Sequence, residues 1–600
     1  MSTEIGNKRL YQTLCKVLDA IRSEAPTSNV KYHPPVGDAE AVVQARSRAL
    51  LHLFLKARFG MVNFADREDL VTDGRFDGGI DAYYVDRKSR VIYVLQSKFR
   101  ATPGNFVAKN LTATDLLKMD VSRIFKGEKQ DEDGNPYNER IVNGLQKTIR
   151  RLPDAGSYDK SVVVLGNSKR LSPSQLRKLV DGYSVDQFAH DRIYQELLFP
   201  VINGTYYTDP HLTIEINLAN LGQGTTHLDY DVNVGSLKSN IKLLFVPTHE
   251  MGRIMSTYKN SILKFNPRSF LELQTNPVNQ DIEESIRSMK SNEFALFNNG
   301  ITVIADSTSV SSDTAKPGTG QVVLRNPQLV NGGQTAYTLG RIYEGCRSVA
   351  DFKVFKGKEV LLKIITFIGS QRRGSEEARL SLIGEISKAS NSQTKVEESD
   401  RRSNDSIQVQ LQRELFQNYG LYYERKRGEF SDGLHYSYLT SKEIVNREKL
   451  VRVSLACDYR ANQARSTVKT FFKEATITNV LAVTDAGKYA FGYEVLDLLD
   501  ARRRTTPKTR GDRYHAKEYG QALRYGEYAV ISVCVNRCRT AGKTEPQSVD
   551  LALAQWIEFE KWAEKQPNNA KYRSGSSFDY VNYYKGSTIG TDLQTYNFTV

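Results

Sequence analysis

Cysteine is scarce in this sequence. The 600 residues include five cysteines, an odd number spread over the whole chain. A secreted domain stapled by disulfides needs cysteines in pairs, so this pattern argues against that class and predicts a reducing, cytoplasmic location. The five are Cys15, Cys346, Cys457, Cys534 and Cys538.

Long apolar runs are also missing. The most apolar stretches, such as residues 360–368, are short, and that one contains the charged Lys363. A helix that crosses a bilayer needs about 20 apolar residues. The N-terminal residues alternate charged and apolar side chains at helical spacing, without the apolar core of a signal peptide. The sequence therefore predicts a soluble protein that has no membrane partner and is not exported.

Internal repeats and low-complexity tracts are absent, and the composition is that of a globular protein, with 40% hydrophobic and 25% charged residues. The length predicts about three to five folded units. Lys and Arg number 83 against 69 Asp and Glu, which gives a net charge of +14. This bias suits a polyanionic partner, but a nucleic-acid function needs local support.

Hydrophobic periodicity predicts an α/β protein. In the N-terminal part, helical spacing over Asp38–Phe59 is followed by two β-rich runs that form a hairpin, and by a buried Val-rich strand near Ser161–Leu165. Ser172 and Pro173 are typical of a helix start. The predicted organisation is an N-terminal α/β domain (1–205), a strand-rich connection (206–248), a mixed α/β or α+β central domain (249–500) and a smaller basic and aromatic C-terminal region (501–600).

The predicted hairpin contains a set of residues that suit phosphodiester hydrolysis. Gln96 and Lys98 share one face of their strand, because side chains alternate along a strand. Asp81, on the partner strand, falls on that same face if the connecting loop has an even number of residues. Carboxylate and amide oxygens suit a hard cation such as Mg²⁺, and a lysine stabilises phosphate charge. The alternative is a surface hairpin with ordinary solvated charges.

At these residues the sequence resembles the PD-(D/E)XK nuclease superfamily, in its restriction-endonuclease-like branch, with Gln in place of the second acid. The resemblance implies that Asp81 binds metal, that Gln96 occupies the second ligand position and that Lys98 is the catalytic lysine. A further acid on the preceding helix often completes such sites, and Glu40 is the candidate there. Because Gln carries no charge, either Glu40 or Asp77 must help to hold Mg²⁺ or Mn²⁺.

Amides, glycines and hydroxyls recur in the central region. They occur in Asn298-Asn299-Gly300, in Asn331-Gly332-Gly333-Gln334-Thr335 and in residues 391–394. Taken singly, each is best interpreted as a structural corner. Together with Asn266-Pro-Arg268 before them and residues 423–429 after them, they resemble the abortive-infection phage-resistance (AIPR) family. That resemblance implies an anti-phage defence protein of prokaryotes.

Two groups of cations are candidates for nucleic-acid contact. In the central region Arg425, Lys426 and Arg427 either bind phosphates or form ion pairs with Glu424 and Glu429. In the C-terminal region a denser patch, interleaved with Tyr514 and Tyr519, either follows a nucleic-acid strand or forms a solvated loop. The patch consists of Arg502, Arg503, Arg504, Lys508, Arg510 and Arg513, with Lys517 beyond them.

These observations predict a Mg²⁺-dependent endonuclease of anti-phage defence. DNA is the favoured substrate over RNA, and a homodimer is the expected assembly because a duplex has two strands to cut. A phage-derived partner would activate the enzyme, which would otherwise be inactive in the healthy cell. The alternatives are a non-catalytic nucleic-acid sensor, in which the Gln marks a decayed site, and a ribonuclease that causes abortive infection.

Overall fold

The structure is a computed structural model that describes most of the chain. The described residues are 2–87, 89–167, 171–218, 226–234, 237–263, 266, 277–288, 293–312, 314, 316–346, 348–368, 382–383, 385–386, 402–403, 405–466, 468–472, 474–504, 512, 514–575 and 577–600. The fold is mixed α/β with several small sheets.

The chain divides into two compact units. The larger unit comprises residues 7–394 and 427–440, and the smaller unit comprises residues 1–6, 395–426 and 441–600. Strands of the larger unit are β1 (Ala82–Asp86), β2 (Val91–Ser97), β3 (Asp159–Leu165), β4 (Ser184–Phe188), β5 (His211–Asn217), β6 (Leu228–Val234), β7 (Leu237–Pro247), β8 (Ile301–Ala305), β9 (Ser307–Ser311), β10 (Thr319–Arg325), β11 (Gln328–Asn331) and β12 (Glu359–Ile368).

Helices surround these strands. They are α1 (Ser2–Arg22, of which 7–22 belong to the larger unit), α2 (Ala39–Phe59), α3 (Phe64–Glu68), α4 (Pro103–Ala108), α5 (Ala113–Leu117), α6 (Val121–Lys126), α7 (Lys147–Arg150), α8 (Pro173–Leu179), α9 (His190–Arg192), α10 (Phe199–Ile202), α11 (Thr248–Tyr258), α12 (Pro277–Ser288), α13 (Phe294–Phe297), α14 (Gly333–Gly345) and the helix Ser431–His435; π-helical turns cover Arg140–Gln146 and Ile193–Leu198, and 3₁₀ turns cover Ala155–Ser157, Lys259–Leu263 and Asp351–Phe355.

Local sequence signals fix several of these elements. The Asp38 side chain caps α2 by accepting the Ala41 N–H, as expected for an N-cap aspartate. Ser172 caps α8 through a capping box, with Pro173 in the first turn. Both predicted helix starts are therefore confirmed. Strand β5 buries Leu212, Ile214 and Ile216 on alternate positions, as a half-buried strand should.

The first sheet contains the predicted hairpin. Its strand order is β1-β2-β3-β4, with β1 and β2 antiparallel and with β2, β3 and β4 parallel. Its hydrophobic core includes Ile92 and Val94 of β2 and Val162 and Val164 of β3, all fully buried. The Val-rich run is thus an interior strand, because both its neighbours supply hydrogen bonds.

Two further sheets share a second core. One has the order β5-β10-β9, and the other has the order β11-β8-β12-β7-β6. Because β5 pairs with β10 and β7 pairs with β12, residues 206–248 supply strands to these sheets and do not form a separate connection. The sequence could not reveal this, since the pairing partners lie about a hundred residues further along the chain. Over this core α11 and α14 cross closely, at Gly252 and Gly340.

The smaller unit is mainly helical. Its helices are Ser406–Tyr419, Arg447–Cys457, Ala461–Ala464, Glu474–Ile477, Ala486–Arg504, Ala516–Tyr519, Glu527–Val533, Glu545–Ala554, Trp556–Lys565, Tyr580–Lys585 and Ile589–Thr595, with a π-helical turn at Cys534–Cys538 and 3₁₀ turns at Val468–Phe472, Val483–Asp485 and Pro567–Tyr572. Two strand pairs accompany them: parallel Tyr422–Glu424 and Ile444–Asn446, and antiparallel Arg573–Ser574 and Ser577–Phe578. The core centres on buried aromatics such as Trp556 and Phe559. In the described part of the chain no helix is both long and apolar enough to span a membrane.

Candidate active site

The end of β2 is fixed against α2 by two serines. The Ser97 hydroxyl donates to the Ser47 carbonyl at 3.0 Å, and the two hydroxyl oxygens lie 3.3 Å apart. The Phe99 N–H donates to the Ser47 hydroxyl at 3.4 Å. Since Ser47 lies in the middle of α2, these bonds hold the helix over the strand end where the candidate residues lie.

The strand register has the loop length that the prediction needs. Ala82 pairs with Leu95 and Asp86 pairs with Val91, so four residues, 87–90, connect the strands. This is the even count that the sequence argument required. The register ends at Ala82, and the Asp81 N–H donates to the carbonyl of Leu95, which is also the pairing partner of Ala82. A common face for Asp81, Gln96 and Lys98 therefore stays a prediction.

Asp81 is held by backbone groups on both sides. Its carboxylate accepts the Ser97 N–H at 2.6 Å, and its own N–H donates to the Leu95 carbonyl at 2.8 Å. Its carbonyl accepts the N–H groups of Thr72 and Asp73 at 2.9 and 3.0 Å. The segment before β1 is thereby folded back onto the start of the strand.

This folded segment brings two more carboxylates to Asp81. One carboxylate oxygen each from Asp73, Asp77 and Asp81 lies within 4.8 Å of the other two. The Asp77 carboxylate accepts the N–H groups of Gly74 and Gly79 at 3.0 and 2.8 Å. Gly79 has a φ of 71°, and an added Cβ would lie 2.7 Å from a backbone oxygen, so only glycine fits this turn. We call these three residues the carboxylate cluster.

Burial and mutual repulsion shift the titration of the cluster. Burial raises the pKa of Asp81 well above its usual range, the Ser97 N–H counteracts part of this, and the neighbouring carboxylates of the cluster raise the pKa further. Burial also raises the pKa of Asp77, against the lowering effect of its backbone N–H donors. One cation lies directly on the cluster, because the Arg48 Nε of α2 forms an ion pair with Asp73. The three carboxylates of the cluster therefore carry more negative charge than Arg48 balances.

Gln96 and Lys98 both interact with Asp115 in α5. The buried Gln96 donates from Nε2 to the Asp115 carbonyl at 3.1 Å, and its Oε1 has no hydrogen-bond donor among the described residues. The Lys98 Nζ lies 3.4 Å from the Asp115 carboxylate, and the lysine side chain is 42% exposed. Hydrogen bonds from Thr112 and the nearby Lys98 ammonium lower the pKa of Asp115, although burial acts in the opposite direction.

Glu40 is not part of the carboxylate cluster. It is exposed in the first turn of α2, seven residues before Ser47, whereas Ser47 is the helix residue that contacts the end of β2. Seven residues of helix span about 10 Å, so the helix start lies well away from the strand end. The acid beside Asp81 comes instead from the 73–77 loop, which was the second sequence-based possibility.

Sequence reasoning missed Arg48 and Asp115, and it included Asp73 only as part of the 73–77 loop. For Asp73 a signal exists, since Asp73, Asp77 and Asp81 recur at four-residue spacing around a Gly-rich turn. Arg48 and Asp115 reach the site from helices, and no spacing in the sequence relates them to it.

The central amide motifs form turns, as their structural interpretation predicted. The Asn298 Oδ1 accepts the Gly300 N–H at 3.0 Å, and the Asn331 Oδ1 accepts the Gly332 N–H at 2.8 Å. Gly300 and Gly332 have φ values of 79° and 78°, and a Cβ on Gly332 would lie 2.6 Å from the Gly300 carbonyl oxygen. The Asn298 Nδ2 also donates to Thr335 at 3.0 Å. The two corners therefore pack directly on each other; Arg268 and residues 391–394 lie outside the described residues.

The predicted C-terminal basic patch is partly engaged in ion pairs. Arg502 pairs with Asp550 at 2.6 Å, and Arg503 pairs with Glu527. Arg504 is exposed at the end of its helix. Lys508, Arg510 and Arg513 lie outside the described residues. Carboxylate partners compete with phosphate for the first two arginines, and nucleic-acid contact by the patch stays a prediction.

The central basic residues differ in exposure. Arg425 donates to Gln412 at 2.7 Å and to the Ser403 carbonyl at 3.0 Å, Lys426 is buried, and Arg427 is exposed. Arg425 thus links the Gln412 side chain to the Ser403 backbone within the smaller unit, which favours a structural role for that residue. Contact of this group with phosphate also stays a prediction.

Comparison with known proteins gives one match. Residues 263–493 match the family model described as AIPR protein. No curated protein and no solved structure matches the chain. The matched segment includes both glycine corners and supports the resemblance to the AIPR family. It begins after the four-stranded sheet and its carboxylate cluster.

Proposed function

We propose that the chain is a divalent-metal-dependent nuclease of anti-phage defence, with a restriction-endonuclease-like active site at the carboxylate cluster. The defence role follows from the family match, since the AIPR family implies abortive infection. The nuclease role depends on one observation: three carboxylates converge within 4.8 Å of one another, and one of them accepts the N–H of Ser97, the residue between Gln96 and Lys98.

The residues present fit a hard divalent cation. Mg²⁺ and Mn²⁺ prefer oxygen ligands, and the cluster offers carboxylate oxygens that repel each other when no cation lies between them. The Gln96 Oε1 is a buried acceptor with no hydrogen-bond donor among the described residues, which is costly unless something occupies it. Asp81, Asp77, Asp73 and Gln96 would hold the ion, whose chemistry is to activate water and neutralise phosphate charge.

The other residues of the site have roles that follow from their contacts. Lys98 is half-exposed and can move from Asp115 to a phosphate oxygen, where its ammonium group would stabilise the charge that develops in the transition state. Arg48 holds Asp73 in place and balances one negative charge. Ser97 keeps Asp81 oriented through its N–H group.

The ion pair between Lys98 and Asp115 favours an enzyme that rests in an inactive form. A lysine that neutralises a carboxylate is not placed for catalysis, and a substrate phosphate or a phage-derived activator would have to displace Asp115. This arrangement suits a defence nuclease, because constitutive cleavage would damage the host.

Cleavage of labelled nucleic acid tests the proposal. The substrates are duplex DNA, single-stranded DNA and RNA, each with Mg²⁺ or Mn²⁺ and with or without extract from phage-infected cells that lack this protein. We expect wild-type protein to cut one of them, and expect EDTA, Asp81→Asn and Lys98→Gln to abolish the products. The exposed Asp133→Asn is the matched control and should retain activity. Cleavage that persists in Asp81→Asn would contradict the assignment of the active site to the carboxylate cluster. Binding without cleavage under every condition would favour the sensor alternative, and loss of RNA alone would identify a ribonuclease.

A further inference from the structure

A cleft lies at the carboxyl ends of three parallel strands. Strands β2, β3 and β4 end at Ser97, Leu165 and Phe188, and the residues that follow them line the cleft. Ligands of α/β sheets bind outside the carboxyl ends of parallel strands. Lys98 lines this cleft and also belongs to the proposed active site, so the two share one residue.

A buried asparagine organises the cleft. The Asn167 Nδ2 donates to the carbonyls of Phe106 and Val107 at 2.6 and 2.8 Å, and the Asn167 carbonyl accepts the Leu111 N–H at 2.6 Å. The Asn167 Oδ1 accepts the His190 N–H at 3.0 Å and lies 3.2 Å from the His190 Nδ1. Because a buried amide is costly unless it is hydrogen-bonded, this side chain fixes the 106–111 segment and His190 in one arrangement.

Three cationic side chains line the cleft. They are Lys98, which also pairs with Asp115, Arg100 and Lys109. Lys109 is exposed at the end of α4, in the segment that Asn167 fixes, and Arg100 is anchored at its carbonyl by the Tyr11 hydroxyl at 2.6 Å. No carboxylate is among the described residues that line the cleft. A depression with this set of cations is suited to an anion.

We propose that this cleft binds a backbone phosphate of the nucleic-acid substrate, adjacent to the phosphate at the carboxylate cluster. Arg100 and Lys109 would contact that phosphate, and the fixed 106–111 segment would set its distance from Lys98. The inference deepens the proposed function and rests on it for the identity of the substrate, but phosphate binding at the cleft does not require cleavage. DNA and RNA offer the same phosphodiester group, so both are tested.

Salt-dependent binding provides the test. Fluorescence anisotropy measures the affinity of the full chain for duplex DNA and for RNA in EDTA, over a range of salt concentrations. Each phosphate contact contributes about 0.9 to the slope of log affinity against log salt for duplex DNA, and about 0.7 for single strands. We expect Arg100→Gln/Lys109→Gln to lower the magnitude of the slope by the contribution of about one phosphate contact and to weaken binding at low salt. Thermal unfolding confirms that the variant is folded, and the two single variants replace it if it is not.

The matched control removes two cations from the other end of the sheet. Lys147 and Arg151 are exposed just before the segment that leads into the start of β3, and Lys147→Gln/Arg151→Gln should leave the slope unchanged. An unchanged slope in Arg100→Gln/Lys109→Gln, or an equal decrease in the control, would overturn the inference. The binding assay is independent of cleavage, because EDTA prevents metal-dependent hydrolysis. If the variants show the predicted slopes but the protein never cuts nucleic acid, the nuclease proposal is refuted and the phosphate-binding cleft is supported. If the protein cuts nucleic acid but the slopes are unaltered, the cleft is refuted and the nuclease proposal is supported.

Discussion

Replacement of Asp81 by Asn should stabilise the metal-free protein while it removes the proposed function. The variant keeps the shape of the side chain and an oxygen that accepts the Ser97 N–H. It removes the negative charge from one of three carboxylates whose oxygens lie within 4.8 Å of one another. A site built for a cation should be strained by its own charge when the cation is absent.

The magnitude follows from Coulomb's law. Two unit charges 4.8 Å apart repel each other by about 3 kcal/mol at an effective dielectric constant of about 20. Arg48 neutralises much of the charge of Asp73, and the hydrogen bond from Ser97 to a neutral amide is weaker by about 1 kcal/mol than the bond to a carboxylate. We therefore expect the relief of this repulsion, less the loss in hydrogen-bond strength, to raise the free energy of unfolding of Asp81→Asn by about 1–3 kcal/mol at neutral pH.

The pH dependence has a definite sign. The pKa of Asp81 in the folded protein is raised above its value of about 3.9 in the unfolded chain. The contribution of Asp81 to the stability of the wild type is therefore fully present below the pKa of the unfolded chain and is lost as the pH rises through the pKa of the folded protein. The stability advantage of Asp81→Asn should accordingly grow with pH. Urea denaturation in EDTA, followed by circular dichroism from pH 4 to 8, measures this. Asp133→Asn is the control and should change stability by less than about 0.5 kcal/mol. A destabilised Asp81→Asn at neutral pH would refute the reasoning.

Two other predictions concern buried charges elsewhere. Lys259 forms a buried ion pair with Asp432 at 3.1 Å and a second ion pair with Glu344 at 3.4 Å. Because Glu344 still compensates the lysine, Asp432→Asn should destabilise the larger unit by about 1.5–3 kcal/mol, the range of a charged hydrogen bond, seen as faster hydrogen exchange in residues 427–440; unchanged exchange would contradict this. In the smaller unit, burial raises the pKa of Glu560 to about 7 from its usual 4.5. The free energy of unfolding should therefore fall by up to about 3 kcal/mol as the pH rises through 7. The variant Glu560→Gln should lack this pH dependence. Fluorescence of the chain's two tryptophans, Trp556 and Trp562, reports on that unit, and equal pH dependence in both proteins would refute the assignment.

Much of the candidate site could be predicted from the sequence because it depends on local rules. The alternation of side chains and the even hairpin loop predict a common face for Asp81, Gln96 and Lys98. The structure brings the Asp81 carboxylate to this strand end, where it accepts the Ser97 N–H. The glycine corners at Gly300 and Gly332 were also predictable, since an Asn beside a Gly favours a turn with positive φ.

The rest depends on contacts between distant segments. Glu40 lies on the helix before the hairpin, but the bonds between Ser47 and Ser97 bring the middle of that helix to the site, and its first turn lies elsewhere. The pairing of β7 with β12 is likewise invisible in the sequence, because no local pattern records which strands become neighbours.

A titration with Mn²⁺, followed by electron paramagnetic resonance, tests the central claim most directly, because it needs neither a substrate nor an activator. We expect wild-type protein and Glu40→Gln to bind Mn²⁺ at one saturable site, and Asp81→Asn and Asp77→Asn to lose or weaken it, since a carboxylate ligand is removed. Addition of Mg²⁺ should displace the Mn²⁺. The absence of saturable binding in the wild type, or binding that survives in Asp81→Asn and disappears in Glu40→Gln, would contradict the assignment of the metal centre to the carboxylate cluster.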